Sequence, residues 1–373
     1  MKDSWIVALL TVLGLGFMLA IIWEQREYSL TGKNDFAHLY NCALLVDGDD
    51  LYNQERFYEL SVETTGAYSK NQGCTRPPYH YAMLWPLRWF SYLAAYGLWQ
   101  FVSVMACIGF LVLWRPPDAA LTVLYFCFSL PIFAALMNGQ DNPLLLFVIA
   151  ATMALHRRGR EFLAGAVFSL CAAKFHLFLL TPILILGQRN WRFGRGFLAG
   201  AGVLVAASFA VAGWSWPLAY YEAVSNPVYT PNFGLMPNLH GAASGLVGST
   251  AWEIALGAST IAAAWIVSRR ANFEYAFACC LLGGLLLSYH SYLHDAATLL
   301  PALLTIVSGE RPPMLKFAAY VLLFPLTYFC VVFGWPYSSF VVVIMLAIVY
   351  LMAYGVLREP AEQQALEPAL TRA

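Results

Sequence analysis

The sequence has few charged residues and no excess of either sign. Only 11% of its 373 residues are charged, whereas soluble globular domains carry about 25%. The 21 Lys and Arg residues balance the 21 Asp and Glu residues, so the chain has no basic surface that could neutralise several nucleic-acid phosphates. The low fraction of charged residues excludes an ordinary soluble enzyme. The balance of positive and negative charges argues against nucleic acid as a partner.

Metal-binding patterns are missing as well. Six of the eight Cys residues lie in or beside apolar segments without metal-site spacing, and no His-Glu-x-x-His motif occurs. The acidic run at 47–50 contains Gly and ends an amphipathic segment, which favours a solvated turn over a metal site. We therefore expect no metal and no cofactor. Cys42 and Cys74 share one predicted external segment, where a disulfide and two free thiols are both compatible with the sequence.

Long apolar runs are what the chain has in abundance. Hydrophobic residues make up 60% of it, and runs such as FVSVMACIGFLVLW are continuously apolar, unlike the alternating strands of membrane barrels. A helix of about 20 residues crosses a bilayer core, so we predict an all-α, polytopic helical membrane protein with about twelve spans in a single domain, 1–373. The spans are predicted near 5–23, 92–114, 119–137, 142–156, 161–175, 176–187, 196–213, 251–268, 274–289, 293–308, 315–333 and 337–357.

One pair of these spans has an alternative. Segments 161–175 and 176–187 are both short, with Lys174 and His176 at their junction and Pro182 in the second. A broken or re-entrant hairpin is equally compatible with this pattern.

Lys and Arg are distributed unevenly between the predicted loops, and cytoplasmic loops of membrane proteins carry the excess. With the N-terminus inside, 14 of the 21 fall on the inner side: Lys2, Arg115, Arg157, Arg158, Arg160, Arg189, Arg192, Arg195, Arg269, Arg270, Arg311, Lys316, Arg358 and Arg372. Both termini are therefore predicted to be cytoplasmic, with a short polar tail at 358–373. The first segment is too long for a signal peptide and lacks a small-residue cleavage site, so we expect a retained span.

Two predicted external segments are long enough to hold a site. The first, 24–78, contains FAHLYNCALLV, whose apolar residues at helical spacing predict an amphipathic helix lying on the membrane interface. The second, 214–250, has no Lys or Arg and is rich in Trp, Tyr, Pro, Asn and Gly, which favours an ordered loop with aromatic faces.

Ionisable side chains at membrane depth are costly and mark functional sites. Apart from those at the cytoplasmic ends of spans, they collect on the predicted external side: Asp35, His38, His80, Asp141, Lys174, His176, His240, His290, His294 and Asp295. Acids, imidazoles and one lysine beside loops rich in Tyr and Trp suit an anionic, lipid-attached, polyhydroxyl substrate.

Two of the candidate elements have a structural alternative at the start of a helix. Asp35 follows the loop TGKN and precedes a predicted helix, so it is either a helix N-cap or a carboxylate held at the membrane surface. The run NGQDNP at 138–143 predicts a tight external turn, in which the polar side chains either cap a helix or bind sugar hydroxyls.

The later candidates combine cations and imidazoles. Lys174 and His176 would reach one phosphate if the chain breaks there, whereas snorkelling of a lone lysine is the alternative. His290 and His294 are four residues apart and are predicted to share a helix face, with Asp295 alongside to orient an imidazole. A zinc site would need a third ligand, which no motif supplies.

Several patches taken together resemble glycosyltransferase family 87. They are Asp35 followed by GDDLY at 48–52, then RPPYHYAMLWPL, NGQDNPLLL, EFLAGAVFSLCAAKFHLFLLTPIL, MPNLHG and SYHSYLHDAATLLPAL, in the family's order from residue 30 to residue 305. Members of the family look like type-C glycosyltransferases, multispanning proteins that take a sugar from a polyprenyl phosphate on the outer face of the cytoplasmic membrane. The resemblance implies inverting transfer of a sugar, mannose first, to a lipid-linked or glycan acceptor in a bacterial envelope.

The resemblance also implies roles for individual residues. Asp35 matches the family's first-loop Asp and would be the general base, and Lys174 with His176 matches its Lys-x-His element. The family's late element falls on Ser288, Ser291, Tyr292 and His294. Asp295 stands where actinobacterial members have a second His, a departure that bears on the substrate rather than on the reaction type.

The complete candidate site has three groups of residues. We expect Asp35 and His294 to be catalytic, Lys174, His176 and His290 to bind the donor phosphate, and Asn138, Gln140, Asp141, His240 and Asp295 to bind the sugar or the acceptor. The expected partners are a polyprenyl-phosphate sugar, a lipid or glycan acceptor and membrane lipids.

The competing class is a transporter or flippase for a lipid-linked or small anionic solute. Many such folds contain two related halves with broken helices at matching positions, and this sequence shows no such halves. A non-catalytic scaffold does not explain why the polar residues gather on one leaflet.

Overall fold

The computed structural model describes residues 4–47, 50–66, 73–114, 119–226, 229 and 231–358. Throughout these ranges the regular structure is helical, which confirms the predicted all-α class. The predicted tail beyond Arg358 lies outside the described residues, as do Gly48 and Asp49 of the acidic run and the charged residues Lys2, Lys70 and Arg115.

The described ranges contain twenty α-helices, numbered here in chain order. They are α1 (Ser4–Glu24), α2 (Arg26–Thr31), α3 (Asp35–Leu45), α4 (Gln54–Thr65), α5 (Pro78–Leu84), α6 (Tyr92–Trp114), α7 (Ala119–Cys127), α8 (Leu130–Met137), α9 (Asn142–His156), α10 (Glu161–Phe168), α11 (Thr181–Gln188), α12 (Trp191–Ala212), α13 (Trp216–Val224), α14 (Leu239–Ala243), α15 (Ser249–Arg270), α16 (Phe273–Leu287), α17 (Leu300–Ser308), α18 (Pro313–Leu323), α19 (Phe329–Phe333) and α20 (Ser338–Arg358). Short 3₁₀ stretches join several of them, notably Trp85–Trp89, Ser169–Phe178, Phe233–Leu235, Leu293–Leu299 and Pro325–Tyr328.

Five apolar helical stretches in the described ranges are long enough to cross a membrane, or up to seven if two bent pairs count as spans. The five are Tyr92–Trp114, Glu161–Phe178, Trp191–Ala212, Ser249–Arg270 and Ser338–Arg358. The chain is thus a polytopic helical membrane protein. The predicted count of twelve is not reached by this measure, because several predicted spans are apolar helices of only 10–17 residues, such as Asn142–His156 and Phe273–Leu287.

Breaks in the helices explain most of the difference from the predicted spans. The predicted span 119–137 bends by 53° between Cys127 and Leu130, and 315–333 bends by 67° near Pro325. Pro removes a backbone donor and clashes with the preceding turn, so the helix restarts at each Pro. The chain also breaks at Lys174, which has φ −128° and ψ 56° inside the 3₁₀ stretch, in agreement with the broken alternative for that segment.

The chain folds into two compact units, each built from separate stretches of sequence. Unit 1 comprises Met1–Phe175, Trp191–Asn232 and Tyr292–Thr298, and unit 2 comprises His176–Asn190, Phe233–Ser291 and Leu299–Ala373. The single domain expected from the sequence stays a prediction.

Close helix packing in unit 1 depends on small residues. Helices α10 and α12 approach so closely that a Cβ at Gly165 would overlap the carbonyl oxygen of Phe193, and one at Gly196 would overlap that of Phe162. Small residues of this kind let membrane helices approach backbone to backbone. In unit 2, Gly284 of α16 is packed in the same way against the backbone of Leu177.

Helix α3 forms where the sequence predicted an amphipathic helix, but its apolar side is covered by protein. Most of its residues are buried: Phe36, Leu39, Tyr40, Asn41, Cys42, Ala43 and Leu45. Phe36 packs among the rings of Tyr40, Tyr92, Tyr96 and Trp99, with centroids 5.3–6.0 Å apart. Protein therefore covers the apolar side of this helix, through α4, α5 and α6, and its position relative to the bilayer surface stays a prediction.

A disulfide between Cys42 and Cys74 fixes α3 to the segment that precedes α5, resolving the alternative that the sequence left open. The imidazole of His38 lies one turn along α3 from Asp35 and donates through Nε2 to the carbonyl of Gly73. Burial lowers the pKa of His38. Two contacts, one in each half of α3, therefore hold this helix against residues 73 and 74.

Replacing both disulfide cysteines should destabilise the protein. The two residues are 32 positions apart, so the variant Cys42→Ser/Cys74→Ser should lose about 3–4 kcal/mol of unfolding free energy in the chain-entropy model. Thermal unfolding of the purified protein measures the loss, with Cys330→Ser as the control at an unpaired cysteine. Two free thiols at 42 and 74 in peptide maps of oxidised protein would contradict the assignment.

Candidate functional site

Two adjacent residues at the start of α3, Asn34 and Asp35, have different roles. Asn34 is the N-cap: its side-chain oxygen accepts from the backbone N–H of Phe36 at 3.1 Å, and its amide donates to Tyr96 Oη at 3.1 Å and to the carbonyl of Met137 at 2.8 Å. Asp35 is the first helical residue and is only partly buried. The capping alternative for Asp35 is therefore wrong, since its neighbour caps the helix.

The turn between α8 and α9 approaches Asp35 directly. Gly139 adopts φ +62°, and a Cβ at this position would lie 2.7 Å from Cβ of Phe36, so only glycine allows the turn to come this close. The next residue, Gln140, donates from Nε2 to Oδ2 of Asp35 at 2.7 Å. Among the described residues, only Gln140 donates a hydrogen bond to this carboxylate.

Lys174 lies at the centre of a buried polar cluster in unit 1. Its side chain is 3% exposed, and Nζ lies 2.7 Å from Asp295 Oδ1, 3.2 Å from Asp141 Oδ1, 2.8 Å from Asn142 Oδ1 and 3.1 Å from Gln140 Oε1. An ammonium has three N–H donors, so these four oxygens use its whole capacity. The snorkelling alternative is wrong for Lys174, because its ammonium ends in this cluster.

Arg76 supplies the second cation of the cluster. Its guanidinium pairs with the carboxylate of Asp141, donates to Nε2 of His80 at 2.9 Å and lies 3.4 Å from Gln140 Oε1. Burial raises the pKa of Asp141, but Arg76 and Lys174 outweigh it and hold that pKa well below its usual range. Burial, assisted by Arg76, lowers the pKa of His80 well below its usual value. His80 is therefore neutral and accepts through Nε2.

Asp295 is the second carboxylate that contacts Lys174. Its Oδ1 accepts from Lys174 and, at 3.1 Å, from Asn142 Nδ2, and its Oδ2 accepts from the backbone N–H of Tyr292 at 2.9 Å. Nε2 of the buried His294 lies 3.6 Å from Oδ2 of Asp295, so the predicted pairing of these two side chains is present. Asn138, by contrast, follows α8 as its C-cap, is half-buried and takes no part in the bonds of this cluster.

The charges of the cluster nearly cancel. Arg76 and Lys174 carry two positive charges, and Asp141 and Asp295 carry two negative charges in direct contact with them. Asp35 contributes a third carboxylate. In the part of the chain that the structure describes, no cation lies within ion-pair distance of Asp35, so its charge is not neutralised by direct contact.

The other predicted site residues belong to unit 2. His176 and His290 face each other edge to face, with ring centroids 6.1 Å apart. His240 pairs through Nδ1 with Glu253 at 2.9 Å and packs against the rings of Phe233 and Tyr289.

The predicted shared helix face of His290 and His294 is wrong. Helix α16 ends at Leu287, and Ser288 turns the chain with its hydroxyl donating to the carbonyl of His290 at 2.7 Å. His294 follows in a separate 3₁₀ stretch. The four-residue spacing therefore does not correspond to one turn of a continuous helix.

The sequence reasoning also assigned Lys174 to the donor phosphate, and the geometry does not support that role. A phosphate would have to displace a carboxylate from a buried ammonium whose donors are all in use. Arg76 was missed as a member of the cluster, whereas His80 was noted as an external ionisable residue and Asn142 as part of the turn NGQDNP, without a place in the predicted site. The run RPPYHY, with Arg and His four residues apart, was a signal for Arg76 and His80.

Removing Lys174 should be strongly destabilising. Lys174→Met leaves two buried carboxylates without their shared cation, and breaking a buried ion pair in this way costs about 3–5 kcal/mol. Lys174→Met/Asp295→Asn should recover part of the loss, because one uncompensated charge is removed. Thermal unfolding in detergent measures both variants.

The matched control for this prediction is Arg56→Met, at the solvent-exposed pair of Arg56 and Glu59 in α4. Exposed ion pairs contribute little, so the unfolding temperature should hardly change. An equally small change in Lys174→Met would contradict the central place of Lys174.

Comparison with known proteins agrees with the sequence resemblance. The model of Glycosyltransferase family 87 matches residues 75–291, which is more than half of the chain. The matched range includes Arg76, Gln140, Asp141 and Lys174, whereas Asp35 and His294 lie outside it. Searches of curated proteins and of solved structures find no match. On the strength of the family match, the chain belongs to glycosyltransferase family 87 and is a glycosyltransferase of the membrane.

Proposed function

We propose that this protein transfers a sugar, mannose in the first instance, from a polyprenyl-phosphate donor to a hydroxyl of a lipid-linked or glycan acceptor. The reaction takes place on the outer face of a bacterial cytoplasmic membrane. Asp35 is the general base, and the anomeric carbon is inverted.

The observation that carries the proposal is the situation of Asp35. Its carboxylate is partly exposed and accepts one hydrogen bond, from Gln140. In the part of the chain that the structure describes, no Lys, Arg or His is in ion-pair contact with it. A carboxylate that is oriented but not neutralised is able to accept a proton. The family match supports sugar transfer as the reaction that uses this base.

The chemistry balances with one base. The acceptor oxygen attacks the anomeric carbon as the bond between that carbon and the phosphate oxygen breaks. The electron pair leaves with the polyprenyl phosphate, and the hydroxyl proton passes to Asp35. Because the phosphate is already ionised, its departure needs no proton donor when positive charge or N–H donors stabilise it.

The donor and acceptor contacts are assigned to the remaining candidates. His176 and His290 face each other and bind the donor phosphate through ring N–H groups. His294, beside Asp295, contacts the reacting groups. Exposed rings of the second external segment, Trp214 and Tyr221, stack on sugar faces.

Asp35→Asn should abolish most activity without unfolding the protein. The variant keeps the size of the side chain and removes the proton acceptor, so transfer should fall about 100-fold or more. The measurement is transfer of labelled mannose from polyprenyl phosphate by purified protein, with thermal stability recorded alongside. Donors with glucose or arabinose head groups then test the choice of sugar.

Asn53→Ala, at the exposed N-cap of α4, is the matched control for Asp35→Asn. It removes a helix cap without touching a contact of Asp35, so it should lower stability by about 1 kcal/mol and leave transfer unchanged. Normal transfer by Asp35→Asn would remove Asp35 from the mechanism. Movement of labelled lipid across vesicles, with no transfer, would support the transporter instead.

The external location of the site is tested by labelling. Single cysteines replacing Glu63 and Ser225, both exposed in predicted external segments, should react with an impermeant thiol reagent on intact cells. The background lacks the six free cysteines and keeps the Cys42–Cys74 disulfide. Glu310→Cys, in a predicted cytoplasmic loop, should react only after lysis. The reverse pattern would contradict the topology.

A further inference from the structure

Gln140 stands between the buried cations and Asp35, and its orientation is dictated by its neighbours. Lys174 and Arg76 have donors only, and they lie 3.1 Å and 3.4 Å from Oε1. The amide oxygen must therefore face the cations. It follows that Nε2 faces the opposite way, towards Oδ2 of Asp35 at 2.7 Å.

The backbone on both sides of this bridge is also fixed. The turn is held by Gly139 at positive φ against α3, and Asn34 donates to the carbonyl of Met137 just before the turn. Trp99 adds a bond from Nε1 to the carbonyl of Gly139 at 2.8 Å. Gln140 itself is 8% exposed, so it has little freedom to turn away.

A neutral amide in this position orients the carboxylate without neutralising it. If a lysine contacted Asp35 directly, the ion pair would favour the ionised form and weaken the carboxylate as a proton acceptor. With Gln140 between them, one carboxylate oxygen is held in place. The other oxygen is left for the acceptor hydroxyl.

We propose that Gln140 is a positioning residue that transmits the fixed geometry of the Lys174 cluster to the base Asp35. Gln140 acts through Asp35 and sets the pH range over which Asp35 accepts a proton. This inference rests on the proposed function, in which Asp35 is the base.

Other titratable groups also face Asp35. Its charge acts on Tyr28 of α2, on His38 of α3, and on Tyr292 and His294 of the segment after Ser291. These groups are common to the parent protein and to every Gln140 variant. A change of the pH profile that appears only in the Gln140 variants is therefore not caused by the titration of these four groups in the parent protein.

Gln140→Glu tests the inference with almost no change of shape. It places a second carboxylate oxygen against Oδ2 of Asp35, and two such groups must share a proton. The acidic limb of the pH profile of kcat/KM should move to higher pH by about one unit or more. On that acidic limb transfer should fall about 10-fold relative to the parent protein at the same pH and should recover as the pH rises towards neutral, while the KM for polyprenyl-phosphate mannose stays within 3-fold of the parent value.

Gln140→Leu is the second variant, and it introduces no charge. Asp35 then loses its donor, so kcat should fall while the donor KM is unchanged, and the pH profile should move less than in Gln140→Glu. Because this variant is neutral, it keeps the test valid if the carboxylate variant fails to fold.

The matched control is Gln188→Glu in α11. The side-chain amide of Gln188 also donates two hydrogen bonds, to the carbonyls of Ser268 and Ala271 at 2.8 Å each. Gln188 belongs to unit 2. This variant should lose stability and keep the pH profile of the parent protein.

The outcomes separate the inference from the function on which it rests. Loss of activity in Asp35→Asn together with an unshifted pH profile in both Gln140 variants would overturn the positioning role alone. Full activity in Asp35→Asn would overturn the proposed base, and with it this inference. An inactive Asp35→Asn and a shifted profile in Gln140→Glu would support both.

Discussion

The buried ammonium of Lys174 is the constraint on which the site depends. A charge at this depth is tolerated only when other charges and dipoles replace the water that it has lost. The two carboxylates and two amide oxygens around Lys174 provide that replacement. Each of these groups is consequently fixed in position. Gln140 is one of them, and its amide in turn orients Asp35 through a hydrogen bond.

The same interaction gives a reason why unit 1 includes a short piece from late in the chain. Asp141 and Asn142 come from the turn between α8 and α9, Lys174 from the break after α10, and Asp295 from a segment of only seven residues. The neighbours of that segment on both sides belong to unit 2. The ion pair of Asp295 with Lys174 gives a physical reason why Tyr292–Thr298 belongs with unit 1.

Much of this could be predicted where the signal is local. Apolar runs predicted the helices, TGKN before FAHLYNCALL predicted the start of α3, and NGQDNP predicted the tight turn. The partners of side chains were harder, because Lys174 meets residues 32 and 121 positions away. Nothing in the residues around Lys174 indicates that its charge is already compensated, and nothing in a four-residue spacing indicates that α16 ends before His290. Periodicity likewise identified the apolar side of α3 without showing whether protein or lipid covers it.

The distribution of charge also bears on the role proposed for Asp35 as the base. If Lys174 contacted Asp35, the carboxylate would be anchored but would become a poorer proton acceptor. If nothing contacted it, the carboxylate would be free to turn, and each productive encounter would require its orientation to be fixed anew. The arrangement in unit 1 separates the two requirements. Asp141 and Asp295 neutralise the cations Lys174 and Arg76. The neutral amide of Gln140 contacts Lys174 on one side and orients Asp35 on the other. Asp35 is thereby oriented by Gln140, and no cation in the described part of the chain contacts it.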